Sequence, residues 1–245
     1  MLNEKAQTAF SEEQNRNVYL DGIEKNFWHV ARNQLLLCFF GRWRAEPLLE
    51  IGAGRGFVLA AFQEAGWEVE GIDLTYAEPR WPTLPISYGK DVFDTPLEYR
   101  ARFRGVALFD TLEHIPDRVG FLVRLRESFP SLEHLYLTLP ARQELWSNYD
   151  EYYGHYLRYT PVILSYELGQ AGYRLVFCRY FFHLLYWILR LYLLLNKRRQ
   201  ESMNPPRGFS VFLHRVIGKF FYWEGLLLPG EWRGSSLLAV AQPIR

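Results

Sequence analysis

From Gln14 to Phe40, apolar side chains return at Leu20, Ile23, Phe27, Val30, Ala31 and Leu35, a step near 3.6 residues that predicts one amphipathic helix. The pattern then changes. Leu48 to Ile51 is a short apolar run that opens into Gly52-Ala53-Gly54-Arg55-Gly56, residues 57–64 turn helical until Gly66, and Val69 to Asp73 reads as a second strand. Ile86 to Tyr88 and Gly105 to Phe109 follow as strands, with a helix from about Val119 to Phe129 and another strand from Leu135 to Leu139. Thr160-Pro161 is a helix start, threonine at the cap and proline in the first turn, running through Leu168 to a stop at Gly169 or Gly172. Tyr173 to Cys178 is a strand again, and Ser235 to Gln242 is strand-like and suited to pair antiparallel beside it. Strand, glycine loop, helix and strand in that order make the first half of a doubly wound α/β domain.

Residues 180–234 break the alternation. Two amphipathic stretches, roughly 180–199 and 209–227, flank the turn-forming Asn204-Pro205-Pro206. In the first, Arg179, His183, Arg190 and Lys197 follow at steps of four, seven and seven, a narrow polar stripe on an otherwise apolar helix. Such a helix is either buried against a partner or resting in a bilayer. The longest apolar run, Tyr180 to Leu195, is 16 residues and contains His183 and Arg190, short of the roughly 20 that a spanning helix needs. The chain thus divides into a helical cap at 1–45, a core at 46–179, an amphipathic insertion at 180–234 and a last core strand at 235–245.

Charge sharpens the reading of the insertion. The net charge is only +1, yet from Arg179 through Lys219 there are eight Lys/Arg residues and a single acid, Glu201. Basic charge joined to bulky apolar side chains favours an anionic lipid surface over a nucleic-acid backbone. The insertion is therefore expected to be a lid touching membrane, with an intramolecular cover or an oligomer face as the other readings. Cys38 and Cys178 are too few for a disulfide framework, and the polar N-terminus lacks the basic-then-apolar order of an export signal. A cytoplasmic protein is expected, at the inner face of the membrane if the lid touches lipid. His183 and His214 read as polar-face residues, and no set of His, Asp and Glu has metal-ligand spacing, so no metal is expected.

The glycine loop carries the candidate chemistry. Its glycines permit a tight strand-to-helix turn and close approach of a ligand to the backbone, and Asp73 ends the next strand 21 residues after Gly52, where an acid can accept both hydrogens of a ribose diol. A dinucleotide site prefers G-x-G-x-x-G to hold its pyrophosphate. Here the glycines stand at 52, 54 and 56, and Glu50 precedes the loop, which suits a ligand bearing an ammonium group better than one bearing two phosphates.

The run LLEIGAGRG with GIDL, then FDTLEHIPD, then LYLTLP, resembles the class I S-adenosylmethionine (SAM) methyltransferase superfamily. FWHVAR at 27–32, Trp146 and HYLRYT at 155–160 resemble its broad bacterial branch associated with glycan, lipid and secondary-metabolite pathways. The resemblance implies a Rossmann-like three-layer sandwich with a mostly parallel seven-stranded sheet and a helical insertion before the last strand. It implies SAM as cofactor and S-adenosylhomocysteine as product. Gly52, Ala53, Gly54 and Gly56 would line the methionine and ribose part, Glu50 would position the loop or an amino group, Asp73 would hold the ribose, Leu74 would pack on adenine, and Asp91 with Val92 would sit near the adenine amino group. Trp28 would form a lid and Arg32 would pair with the cofactor carboxylate, unless FWHVAR is simply a helix packed on the core. Asp110 and His114 would lie beside the transferring methyl or merely close the turn after the strand, and Glu113 reads as structural.

On the acceptor side stand Trp146, Tyr149, Asp150, Tyr153, His155, Arg158 and Tyr159. Methyl transfer needs a nucleophile aligned behind the methyl carbon and, for a hydroxyl, a base. His155 is the candidate base or a structural histidine; Arg158 either clamps an acidic substrate group or anchors the loop to Asp150. The expected activity is direct SN2 methyl transfer to an oxygen or nitrogen of a small-molecule or lipid-linked acceptor, glycans included. A noncatalytic SAM- or SAH-binding scaffold is the leading alternative, with quinone C-methylation behind it; nucleic-acid methylation is disfavoured by the lack of an Asn/Asp-Pro-Pro-Tyr/Phe motif.

Overall fold

The computed structural model describes residues 14, 20–195, 198–200 and 204–244. Its strands are β1 (Leu48–Ile51), β2 (Val69–Asp73), β3 (Ile86–Tyr88), β4 (Gly105–Phe109), β5 (His134–Pro140), β6 (Tyr173–Phe181) and β7 (Ser236–Pro243). They form one sheet in the order β3-β2-β1-β4-β5-β7-β6, parallel except for β7, which runs antiparallel between β5 and β6. The order reverses at β1, which has β2 on one side and β4 on the other, so a crevice opens at the C-terminal ends of these strands. β4, Gly105 to Phe109, is an unbroken apolar run and fully buried because helices cover both faces of the sheet.

The helices are α1 (Phe27–Phe40), α2 (Phe57–Glu64), α3 (Leu97–Arg100), α4 (Arg118–Ser128), α5 (Asn148–Tyr152), α6 (Pro161–Gln170), α7 (His183–Leu194) and α8 (Phe209–Leu227). Leu122 and Leu125 of α4 and Leu164 and Leu168 of α6 pack on one side of the sheet. Leu35, Leu36 and Phe40 of α1, Leu59 and Phe62 of α2 and Phe221 of α8 pack on the other. This is the three-layer sandwich the sequence predicts.

Two departures from expectation stand out. The helix expected over 14–40 is broken, because Gly22 takes a left-handed φ of +89° and Ile23–Lys25 forms a separate 3-10 turn. Asn26 then restarts the chain, its Oδ1 accepting the Trp28 amide N–H at 3.0 Å as the cap of α1. Apolar spacing crosses the break because Ile23 is itself buried; residues 15–19 of the expected helix lie outside the described residues. β6 runs past Cys178 to Phe181, since β7 pairs along it from Tyr173↔Pro243 to Phe181↔Ser236. That extension takes Arg179 out of the helix it was expected to share with His183 and Arg190.

The expected polar stripe therefore does not exist as a helix surface. Arg179 reaches from β6 to the C-terminal carbonyls of α8, donating to Gly225 O at 2.5 Å and Leu228 O at 2.9 Å. His183 is buried and bonds Arg233 O, Arg190 donates to Glu144 O, and Lys197 is outside the described residues. What α7 turns outward is apolar: Leu184, Trp187, Ile188, Leu191 and Leu194 are exposed. On α8 the exposed set Phe212, Val216, Phe220 and Trp223 repeats at helical spacing.

Two glycines seat the insertion on the core. A Cβ at Gly218 would lie 2.9 Å from Val30, and one at Gly225 would lie 2.9 Å from Leu35, so α8 meets α1 backbone-close at both points. Glu224 of α8 accepts the Leu184 amide N–H at 2.6 Å and caps α7, whose own cap position, Phe182, supplies no side-chain bond.

Candidate active site

The loop after β1 is shaped by what presses on it. Gly52 has φ +81°, and a Cβ there would fall 2.7 Å from Thr111 Oγ1. The Gly54 amide donates to Asp73 Oδ2 at 2.8 Å, Tyr88 OH donates to Gly54 O at 2.8 Å, and Asp73 Oδ1 accepts the Thr75 amide at 2.9 Å. These bonds fix the loop and the acid against each other before any ligand arrives. Beside them lies a cavity of about 860 Å³, walled by Glu50, Gly52, Ala53, Asp73, Leu74, Asp91, Val92 and Asp110, with Trp28 and Arg32 from α1. Gly54 and Gly56 are not in that wall. Gly54 is spent on Asp73 and Tyr88, and a Cβ on Gly56 would strike Leu84 and Ile86, so both shape the loop from behind.

At the glycine-loop end the wall carries Glu50, Asp73, Asp91 and Asp110, with Arg32 and Lys90 beside them. Glu50 is 4% exposed, its Oε2 has no partner among the described residues, and burial pushes its carboxyl up to about 8 against the pull of Arg32. Asp91 accepts the Phe93 amide at 3.0 Å while facing the same space. The buried, unpartnered Glu50 oxygen suits a ligand carrying a cation, and Asp73 at the strand end suits hydroxyls. SAM, with its ammonium, sulfonium and ribose diol, fits these carboxyl groups.

Arg32, expected to pair with a cofactor carboxylate, lines the cavity and already has a carboxylate partner in the protein. It is 3% exposed and donates to Asp110 Oδ2 at 2.5 Å and Thr138 Oγ1 at 3.0 Å, its guanidinium 5.0 Å over the Trp28 ring. An arginine this buried needs a fixed counter-charge, and Asp110 supplies it. Asp110 itself holds φ +54° at the end of β4, with its amide on Thr138 O at 2.9 Å, a strained backbone of the kind that gathers at functional sites.

The acceptor side is built on Asp150, which is fully buried. Its Oδ2 accepts the Ser147 amide at 2.9 Å, and its Oδ1 takes both His155 Nδ1 and Arg158 Nε at 2.8 Å. Burial alone would raise its carboxyl, but the bond from His155 and the Arg158 guanidinium hold it down at about 2. His114 donates Nδ1–H to Tyr153 O at 3.0 Å; burial, then the neighbouring His155, lower its imidazole to about 3, so the ring is neutral. The two rings stand 4.7 Å apart at 72°. Glu113, 1% exposed, is raised well above the ordinary carboxyl range by burial and by Asp110. Among the described residues, Glu113, His114 and His155 each present a ligand atom within 4.8 Å of the others.

Tyr149, Tyr153, His155 and Arg158 line the cavity as expected. Arg158 is spent on Asp150 and on Ala141 O at 3.3 Å, which is the anchoring alternative. Trp146 and Tyr159 are not in the wall. Tyr159 is 0% exposed and donates its hydroxyl to Glu167 at 3.0 Å inside the core, and Trp146 ends a 3-10 turn with its amide on Gln143 O. A lid was expected from the insertion, but sequence reasoning named none of its cavity residues: Leu185 and Leu189 of α7, with Arg199, Gln200 and Asn204 after it, close the cavity. Arg199 and Asn148 exchange two hydrogen bonds at 2.9 and 3.0 Å, and the Arg199 guanidinium lies 4.4 Å over Tyr149. No local pattern signals a contact across 51 residues.

The strand order, the glycine loop locked to an acid ending β2 and the carboxylate-walled crevice define a class I SAM-dependent methyltransferase. A family profile described as a methyltransferase domain matches residues 13–176; the chain belongs to that family. No curated protein matches it. Among solved structures, a chain of the complex between the Haloferax volcanii Trm112 methyltransferase activator and the putative methyltransferase superposes with a TM-score of 0.55 at 14% identity, covering 98% of this chain and 97% of that one. The CcbJ methyltransferase from Streptomyces caelestis gives 0.54 at 13% identity, covering 96% and 100%. The glycopeptide N-methyltransferase MtfA complexed with sinefungin gives 0.52 at 15% identity, covering 88% and 87%. At such identities these likenesses bear on the fold alone.

Proposed function

We propose that the protein methylates an oxygen or nitrogen of a hydrophobic or lipid-linked small molecule, drawn into the cavity beneath an insertion whose outer face lies on an anionic membrane. The carrying observation is the polarity of that insertion: Leu185 and Leu189 face the cavity while Leu184, Trp187, Ile188 and Leu191 on the same helix are exposed. Arg207, Arg215 and Lys219 are exposed beside the apolar face of α8, a charge pattern that complements anionic lipid. No helix among the described residues is long and apolar enough to cross a membrane.

SAM would supply a methyl on a sulfonium; the acceptor heteroatom would form the new bond to carbon as the sulfur–carbon bond breaks, its proton passing to solvent and S-adenosylhomocysteine leaving. Glu50 is assigned to the cofactor's amino group, Asp73 to the ribose diol, Leu74 and Val92 to the adenine faces and Asp91 to its amino group. Trp28 covers this end, with Arg32 holding Asp110 beside the reacting centre. Tyr149, Tyr153, His114 and His155 face the acceptor, and Asp150 keeps His155 in one orientation. The site contributes mainly alignment and exclusion of water, which the roof of Leu185, Leu189 and Arg199 provides.

The test is sedimentation with phosphatidylcholine vesicles, with and without phosphatidylglycerol, followed by transfer of label from methyl-tritiated SAM into the organic phase of a membrane lipid extract. Binding that needs phosphatidylglycerol, together with organic-phase label, is expected. Protein that ignores both vesicles and leaves the organic phase unlabelled would overturn the lipid part of the reading.

A further inference from the structure

Glu113 and His114 sit on the 3-10 turn after β4, and His155 returns to the same wall just past α5. Sequence separation hides the set. Adjacent residues pair with one 41 positions later, and only the fold brings their ligand atoms within 4.8 Å of one another.

Each member is prepared for ligation. Glu113 is 1% exposed and its Oε2 has no hydrogen-bond partner among the described residues. A carboxylate oxygen so buried lacks the partner that a bound cation would supply. His114 commits Nδ1 to the Tyr153 carbonyl at 3.0 Å, and His155 commits Nδ1 to the Asp150 carboxylate at 2.8 Å. Carbonyls and carboxylates only accept, so both rings carry the proton on Nδ1 and offer Nε2 as the ligating nitrogen. An imidazole oriented through Nδ1–H on a carbonyl or carboxylate is the arrangement that outer partners impose on metal-bound histidines.

We infer that Glu113, His114 and His155 form a divalent-cation site in the acceptor half of the cavity, whose open coordination positions take an oxygen of the acceptor. Two imidazoles and one carboxylate suit zinc, manganese or iron(II) better than magnesium or calcium, which prefer all-oxygen shells. Bonds of about 2.0–2.2 Å place ligand atoms roughly 3–4 Å apart, so small side-chain rotations close the set on an ion. Three protein ligands leave positions open toward the cavity. Asp150 then orients a ligand, and His155 is not the base that its residue type suggests. The acceptor part of this inference rests on the methyltransferase reading; the cation site stands on its own geometry.

Untagged full-length protein, stripped with chelator, would be titrated calorimetrically with zinc, manganese and magnesium, and separately with SAM. One zinc or manganese per chain is expected, with magnesium weaker. Glu113→Gln and His155→Ala should each weaken the ion at least about tenfold while SAM binding persists. Because either variant could fail to fold, the wild-type protein would also be loaded with cobalt(II), whose visible spectrum should depart from that of the aqueous ion through nitrogen ligation. An aqueous-type spectrum, no stoichiometric uptake by wild type, or undiminished uptake by both folded variants overturns the site. Wild type that binds SAM but no ion overturns this inference alone and leaves the methyltransferase reading in place.

Discussion

Glu50 is the residue whose environment makes the sharpest prediction. Its folded value, pushed to about 8 by burial, lies above the ordinary carboxyl value of 4.5. A raised acid contributes stability that is complete below the unfolded value and is lost as pH rises through the folded one. Unfolding free energy should therefore fall between about pH 4.5 and pH 8 in the ligand-free protein, and Glu50→Gln should flatten that slope in pH-dependent denaturant melts. An unchanged slope would remove Glu50 from the account. A cationic ligand reverses the penalty, so SAM binding near neutral pH should release a proton, visible as a calorimetric enthalpy that varies with buffer ionisation enthalpy in wild type and less in Glu50→Gln. At this scale the sequence was legible where a residue's role follows from its neighbours in the chain. Asp73 at the end of β2 and Glu50 before the loop both reach the cavity. Tyr159 and Trp146 were misplaced because their fate depends on Glu167 and on a turn that local pattern does not reveal.

The insertion is held by two devices, each testable at the level of the element. Gly225 lets α8 lie against Leu35, so Gly225→Val forces a side chain into a filled space and should cost about 1–3 kcal/mol in chemical denaturation. A variant as stable as wild type would show that α8 is not seated there. Glu224 caps α7 from another helix, and Glu224→Ala should cost about 1 kcal/mol and speed hydrogen exchange at the Leu184 amide. Apart from β6, the strands were read to within a residue, because their period and bounding glycines and prolines are local. The stripe of Arg179, His183 and Arg190 was not. A helical spacing was assigned to Arg179, which β7 pulls into the sheet, and His183 of the same stripe is buried rather than on a polar surface.

Across the whole molecule, the switch point at β1 and β4 places the cavity, and the insertion between β6 and β7 supplies its roof and its exposed apolar face. Trp187, 55% exposed, and Phe220, 52% exposed, lie on separate helices of that face and touch nothing catalytic. Trp187→Ser with Phe220→Ser should weaken sedimentation with phosphatidylglycerol vesicles severalfold while leaving SAM affinity unchanged; a parallel loss of both would place these residues in the fold rather than on the lipid. Fold class and cofactor half were readable because a glycine loop and an acid encode them within 25 or so residues. The acceptor half was readable only in part, because Arg199 and the Glu113, His114 and His155 set assemble through tertiary folding.

The central claim is that this cavity holds SAM through Asp73 and its neighbours. Calorimetric titration of SAM into wild type and Asp73→Ala tests it most directly. Saturable one-to-one binding that falls at least tenfold in a folded variant is predicted, in line with about 1.5–3 kcal/mol for hydrogen bonds to a charged group. A folded wild-type protein that binds no SAM, or a variant that binds it equally well, would contradict the account.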